Sequence, residues 1–268
     1  MKETGRRALR IALGQLASTD DVEANLRAID DAAGSAAADG AELLLLPEYA
    51  TFEKAELDAD CARVAEPLDG PVATRLAATA RRHGLFLVAG VLEAGDGPAG
   101  AYNTLVAFGP DGGLLASYRK AHLFDAQGYA ESDFIDAAPE PEAVVVELAG
   151  VRCGLMICYD LRFPEHARAL SDAGAQVLLV AASWVPGRGK LAQWQALLAA
   201  RAIENGMFVA GACQAVPHSV GHSALVDPMG TGLAGLGPAA GLALADADLR
   251  RIASTRRLFP MHRQRRFS

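Results

Sequence analysis

The chain has 268 residues, of which 51% are apolar and 21% charged, with a formal net charge of −7. That composition excludes general disorder, and the acidic balance argues against a nucleic-acid binder despite the locally basic tail of Arg256, Arg257, Arg263, Arg265 and Arg266. No apolar stretch approaches the ~20 residues that span a bilayer, and no linker divides the chain, so residues 1–268 read as one domain.

Lys2, Arg6, Arg7 and Arg10 precede a short apolar run that contains Gln15 and shows no cleavage signal, so residues 10–15 read as a first strand and not as a leader. Asp20 or Asp21 caps a helix reaching about residue 37, and residues 42–46 form a strand. Residues 71–83 open on proline and stop at Gly84, the signature of a helix with both ends marked. Strands follow at 85–91, 102–108 and 114–118, the last two joined through Gly109-Pro110-Asp111-Gly112-Gly113 as a hairpin. Residues 120–141 show little periodicity, and so long a loop in a compact domain is more often functional than idle.

The second half repeats the alternation. Strands at 143–148 and 151–157 flank an Ala149-Gly150 turn. A helix opening at Pro164 runs to 173, a strand covers 177–181, a helix 191–204, and strands follow at 207–212 and 222–226. Gly230-Thr231-Gly232-Leu233-Ala234-Gly235 matches a dinucleotide-binding spacing but runs into Leu236-Gly237-Pro238 instead of opening a helix. It reads as a turn between strands, and no nucleotide is expected. His218 and His222 have a helical ligand spacing, yet Val220-Gly221 disfavours helix, so no metal is expected either. Cys61, Cys153, Cys158 and Cys213 form neither a C-x-x-C pair nor a zinc pattern, which fits a reducing cytoplasm.

Three strand ends carry chemistry. Leu43 to Leu46 ends in Pro47-Glu48, Leu114 to Tyr118 ends in Arg119-Lys120, and Val151 to Ile157 delivers Cys158 to the start of a helix. A free thiol has a pKa of about 8.5, so a cysteine nucleophile needs a base, a cation or N–H dipoles around it. Each residue alone also suits a plain strand end or, for Cys158, a core position. No Gly-x-Ser-x-Gly elbow offers a serine alternative.

Together Pro47-Glu48-Tyr49, Tyr118-Arg119-Lys120-Ala121-His122-Leu123-Phe124-Asp125 and Cys158-Tyr159-Asp160-Leu161-Arg162-Phe163-Pro164-Glu165 resemble the nitrilase superfamily of carbon-nitrogen hydrolases, most like its Nit and omega-amidase branch. The resemblance implies an α/β four-layer αββα sandwich of two mixed sheets, which periodicity alone does not separate from a doubly wound fold. It implies hydrolysis of a small linear carboxamide of the omega-amide or deaminated-peptide type through a cysteine thioester, with release of ammonia and no cofactor. Glu48 is the expected base, Lys120 the oxyanion cation with the Tyr159 backbone N–H beside it, Cys158 the nucleophile and Glu131 the additional glutamate supporting Lys120.

Arg162 either clamps a substrate carboxylate or pairs with Asp160, Glu165 or another carboxylate. Tyr49, Trp184 and His222 are pocket-lining candidates that equally suit a packed core. An N-carbamoyl amino-acid amidohydrolase is the alternative on the same residues. A non-catalytic relative, or a redox-responsive one with Cys158 paired to Cys153 or oxidised to a sulfenic acid, is the alternative outside hydrolysis. Tyr159-Asp160 stands where nitrilases of this superfamily usually carry Trp-Glu, which sets nitrile hydrolysis aside. Relatives assemble through helices near the nucleophile, so a homodimer or larger homo-oligomer is expected, with the 163–170 segment as the candidate contact.

Overall fold

The computed structural model describes residues 8–267, so Lys2, Arg6 and Arg7 lie outside the described residues. In chain order its elements are β1 (Ala8–Gln15), α1 (Val22–Ala38), β2 (Leu43–Leu45), α2 (Asp60–Val64), α3 (Pro71–His83), β3 (Phe86–Ala94), β4 (Ala101–Phe108) and β5 (Leu114–Arg119). Then come β6 (Val145–Leu148), β7 (Val151–Ile157), α4 (Pro164–Asp172), β8 (Val177–Ala182), α5 (Lys190–Asn205), β9 (Phe208–Cys213), β10 (Ala224–Val226), β11 (Gly232–Gly235), β12 (Gly241–Asp248), α6 (Arg250–Leu258) and α7 (Met261–Gln264).

The strands form two six-stranded sheets, ordered β12-β1-β2-β3-β4-β5 and β11-β10-β9-β8-β7-β6. Each is mixed: β1, β2 and β3 run parallel, as do β7, β8 and β9, while the remaining neighbours are antiparallel. Period-2 alternation explains the layering. Leu9, Ile11, Leu13, Leu43 and Leu45 point into a core shared with β7, β8 and β9, whereas Ala12, Leu44 and Leu46 pack with Leu26, Ile29, Leu76 and Ala80 of α1 and α3. On the far side Trp194, Leu198 and Ala202 of α5 and Ala167 and Leu170 of α4 cover the second sheet. The arrangement is the four-layer αββα sandwich, with a sheet buried on both faces wherever a strand reads as uninterrupted leucine.

Local signals place the boundaries. Asp21, not Asp20, caps α1 by accepting from the Ala24 N–H at 2.9 Å, and Gly84 closes α3 in the left-handed region at φ 65°. One expectation is corrected. Within Gly230–Gly235 only the first two residues belong to a turn, which Asp227 builds by accepting the Met229 and Thr231 N–H groups, each at 2.9 Å. Residues 232–235 are the edge strand β11, paired to β10 across an irregular register, because glycines without side chains fit a bulged edge that hydropathy does not mark.

In the basic tail Arg265 forks onto Asp172 at 2.8 Å through two nitrogens, and ahead of the tail Arg251 of α6 reaches Asp227 at 2.7 Å. No helix among the described residues is long and apolar enough to cross a membrane.

Candidate active site

Cys158 stands at the C-terminal end of β7, where the chain leaves the strand into a 3₁₀ turn over Cys158–Arg162. Its φ of 43° lies in the left-handed region that a side chain seldom adopts, a strained geometry that lifts the thiol out of the sheet. Asp160 holds the turn. One carboxylate oxygen accepts from the Ile157 N–H at 3.0 Å and the Tyr118 hydroxyl at 2.7 Å, the other from the His122 N–H at 3.1 Å, with His122 Nδ1 2.7 Å away. Asp160 is fully buried, so these partners supply what water would.

Glu48 follows Pro47 at the end of β2, and a glycine makes room for it. The backbone of residues 47–49 lies against Gly90 of β3, whose N–H donates to the Pro47 carbonyl at 3.0 Å. A Cβ there would come within 2.6 Å of Glu48 Cα. Lys120 follows β5. Its Nζ donates to Glu48 Oε1 at 2.8 Å and to both oxygens of Glu131 at 2.9 and 2.8 Å. Glu131 opens a 3₁₀ turn in the long loop and also accepts from the Tyr49 hydroxyl at 2.9 Å and the Phe124 N–H at 2.7 Å. The four expected residues thus meet: Glu48 is 1% exposed, Lys120 2%, Glu131 5% and Cys158 7%, so the cluster sits in a low-dielectric interior.

Burial by itself penalises the Lys120 ammonium, but the charges of Glu131 and Glu48 outweigh it and hold the pKa well above the usual lysine range. Burial also pushes the Cys158 thiol well above its ordinary value; Glu48, within hydrogen-bond reach, raises it further against the pull of Lys120. At neutral pH the sulfur therefore keeps its proton, with a second contact to the Ser183 carbonyl at 3.7 Å.

Two residues complete the cluster that motif reading passed over. Asn103, fully buried in the middle of β4, donates to Glu48 Oε1 at 2.7 Å and to Glu131 Oε1 at 3.1 Å, tying the two carboxylates together. The Ser183 N–H donates to Glu48 Oε2 at 2.6 Å. Asn103 did carry a signal, an amide inside a mostly apolar strand, and Ser183 carried none beyond following β8. Glu53 also faces the site. Burial raises its carboxyl well above the usual range, and it accepts from the Ser183 hydroxyl at 2.8 Å.

A cavity of about 440 Å³ opens onto Cys158, lined among others by Glu48, Glu53, Lys120, Phe124, Glu131 and Val185. Tyr49 lines it as expected. Tyr159 and Trp184 border a smaller recess beside Cys158. His222 lines neither: it sits at φ 56° with its carbonyl accepting from Trp194 Nε1 at 2.9 Å, a turn residue anchored to α5. Arg162 forms neither expected ion pair, because the Asp160 carboxylate is taken up by Tyr118 and His122. It donates to Gln193 Oε1 at 2.7 Å and lies 4.9 Å over the Trp184 ring. Cys153 lies five residues before Cys158 along β7, a separation of about 16 Å at strand rise and beyond any disulfide span, so the redox pairing of these two is ruled out in this fold.

The family model described as carbon-nitrogen hydrolase matches residues 10–257. Hydrolase Rv0480c of Mycobacterium tuberculosis is 40% identical over 92% of this chain and 92% of its own length, and the deaminated glutathione amidase of Escherichia coli O157:H7 is 34% identical over 96% and 97%. Among solved structures, Saccharomyces cerevisiae Nit3, a member of branch 10 of the nitrilase superfamily, aligns with a TM-score of 0.86 at 28% identity over 97% of each chain. A variant of the amidase from Nesterenkonia sp. AN1, solved with the acetamide moiety of fluoroacetamide added at its active-site cysteine, aligns at 0.81 and 32% over 96% and 97%.

Proposed function

Since the chain belongs to the carbon-nitrogen hydrolase family and so hydrolyses amides, we propose that Cys158, Glu48 and Lys120 carry the reaction, with Glu131 holding Lys120, on a small linear carboxamide of the omega-amide or deaminated-peptide type. The observation that carries this reading is the convergence of a buried thiol, a carboxylate within its reach and an ammonium fixed by two carboxylates at the mouth of one cavity. The relative named deaminated glutathione amidase, and the amidase whose active-site cysteine takes up the acetamide moiety of fluoroacetamide, support the substrate class.

The steps follow from the geometry. Glu48 takes the thiol proton as sulfur bonds to the amide carbon, and the carbonyl electrons move onto oxygen. Lys120 and the backbone N–H of Tyr159 stabilise that oxyanion. Glu48 gives the proton to nitrogen, the C–N bond breaks and ammonia, or the amine of a deaminated peptide, leaves a thioester. Glu48 then deprotonates a water that attacks the thioester, and the proton returns to sulfur as the acid departs. Glu131, whose oxygens are occupied by Lys120, Tyr49, Asn103 and Phe124, has no capacity for proton transfer and positions the ammonium.

The test is ammonia release from omega-amides, N-carbamoyl amino acids and nitriles and amine release from deaminated peptides, with wild type against Cys158→Ala under reducing conditions. Turnover of an omega-amide or deaminated peptide that disappears in the variant upholds the reading. Turnover confined to N-carbamoyl amino acids transfers the same residues to a ureido carbon, and turnover retained by the variant removes Cys158 from the mechanism. We place the enzyme in the cytoplasm as a homo-oligomer joined near α4. The four free, buried cysteines suit a reducing compartment, and sedimentation tests the assembly.

A further inference from the structure

Most cations around the site are neutralised. Lys120 is held by Glu48 and Glu131, Lys54 by Asp58 and Asp60, and Arg119 by Glu93. Lys190 is different. It is 2% exposed, yet among the described residues no carboxylate lies within ion-pair distance of its Nζ, which rests over the rings of Phe124 at 4.6 Å and Trp184 at 4.8 Å.

Its place in the chain makes this more costly. Lys190 is the first residue of the 16-residue helix α5, at the positive end of the helix dipole, with no acidic residue in the first turn and no side-chain cap. Fold alone gives no reason for a buried, unpaired ammonium there, and desolvation lowers its pKa accordingly. The backbone is fixed nonetheless: the Lys190 carbonyl accepts from Trp184 Nε1 at 3.0 Å, and its N–H donates to the Gly187 carbonyl at 3.1 Å.

The ammonium borders the small recess beside the nucleophile, together with Phe124, Cys158, Tyr159, Ser183, Trp184 and Val185. Phe124, Cys158, Ser183 and Val185 also line the main cavity, so the two spaces adjoin at the thiol. The recess, about 10 Å³, has room for one water-sized atom, the size of a carboxylate oxygen. The main cavity is bordered by Glu48, Glu53, Glu56, Glu131 and Asp133 and by two lysines, Lys54 and Lys120, both already held in ion pairs with carboxylates. We propose that Lys190 binds the carboxylate of an amide substrate, making it the residue that selects amides with an anionic far end. The inference rests on the amidase reading and sharpens it. Arg162, 4.9 Å over the Trp184 ring and bonded to Gln193, adds positive potential without bordering the recess.

The test compares glutaramate with pentanamide, amides of equal length that end in a carboxylate and a methyl group, in wild type and Lys190→Met. The substitution keeps the apolar stem and removes the charge. The expected result is a fall in kcat/KM for glutaramate of roughly 10- to 100-fold, carried by KM, the range for one lost charge-assisted hydrogen bond, with pentanamide changed by less than about threefold. Retained pentanamide turnover also shows that the variant folds. An equal loss on both amides overturns the inference, since Lys190 would then act on the thiol or oxyanion, and no change on either overturns it too. A second readout needs no turnover: glutarate should slow alkylation of Cys158 by iodoacetamide in wild type and not in Lys190→Met. If wild type turns over no amide, the amidase reading fails, and this protection alone decides for or against the anion site.

Discussion

Gly90→Ala tests whether backbone packing, and not only side-chain identity, positions Glu48, the proposed general base. The added Cβ would lie 2.6 Å from Glu48 Cα, 2.7 Å from the Pro47 carbonyl oxygen and 2.7 Å from the Tyr49 N, all backbone atoms that no rotamer change can clear. Restoring ordinary contact at about 3.4 Å requires the 47–49 segment to move by 3.4 − 2.6, or 0.8 Å, away from β3. Glu48 moves with it, against hydrogen bonds of 2.6 to 2.8 Å from Ser183, Asn103 and Lys120 that such a shift breaks or bends. A misplacement near 1 Å costs about 100-fold in rate, and overpacking costs about 1–3 kcal/mol of stability. The control is Gly211→Ala in β9, where the new Cβ meets only side-chain atoms of Leu198 and Trp194 at 2.8 and 2.9 Å, on the α5 side of the sheet. Both variants should lower Tm, and only Gly90→Ala should lower kcat by about two orders of magnitude. Steady-state ammonia release with parallel thermal melts measures both, and a Gly90→Ala enzyme with kcat within about threefold of wild type would refute the reasoning.

Asn103→Leu removes the shared donor between Glu48 and Glu131 and leaves two carboxylates crowded on one ammonium, so kcat should fall by about 10- to 100-fold with the fold retained by circular dichroism. Asp160→Asn cannot accept from both the Tyr118 hydroxyl and the Ile157 N–H while serving His122 as a carboxylate does. The Cys158 turn should loosen, with Tm lowered and alkylation of the thiol altered, whereas an unchanged melt would show that the turn holds itself. Because the folded-state pKa of Cys158 is raised, its thiolate fraction at pH 7 is below that of a free cysteine and grows as pH rises. Alkylation by iodoacetamide should therefore climb through pH 9 without levelling, and a plateau below pH 8 would contradict the burial argument. Cys153, pushed up to about 12 by burial, should stay unmodified throughout.

Much of the fold was legible because its strands alternate or run apolar and its helices carry end signals. Pro71 and Gly84 bound α3 to the residue, and Leu43 to Leu46 announce a strand covered on both faces. The last quarter was less legible. In β12, Ala243, Ala245 and Ala247 alternate with leucine and aspartate, but alanine favours helix, and only antiparallel pairing to β1 makes the segment a strand. Glu48, Lys120 and Cys158 were legible as polar or reactive residues at strand ends, and it was the resemblance of their flanking motifs to the nitrilase superfamily that gave them roles. Asn103, Ser183 and Lys190 could not be weighed, since their importance lies in which residues of distant strands and helices they meet.

Burial and the charges of the cluster explain why the sulfur is kept protonated. Burial comes first, and the Glu48 and Glu131 carboxylates facing the sulfur add to it against the pull of Lys120, so a thiolate is disfavoured where water cannot screen it. A standing thiolate is thus suppressed. That suits the reaction, because an amide nitrogen is a poor leaving group until it gains a proton. A site that had already discharged its thiol proton to solvent would have to recover one for this step. In the proposed reaction the proton passes from sulfur to Glu48 only when an amide carbon is present to accept the sulfur electrons and Lys120 is there to meet the oxygen. It then remains on a carboxyl group next to the nitrogen that needs it.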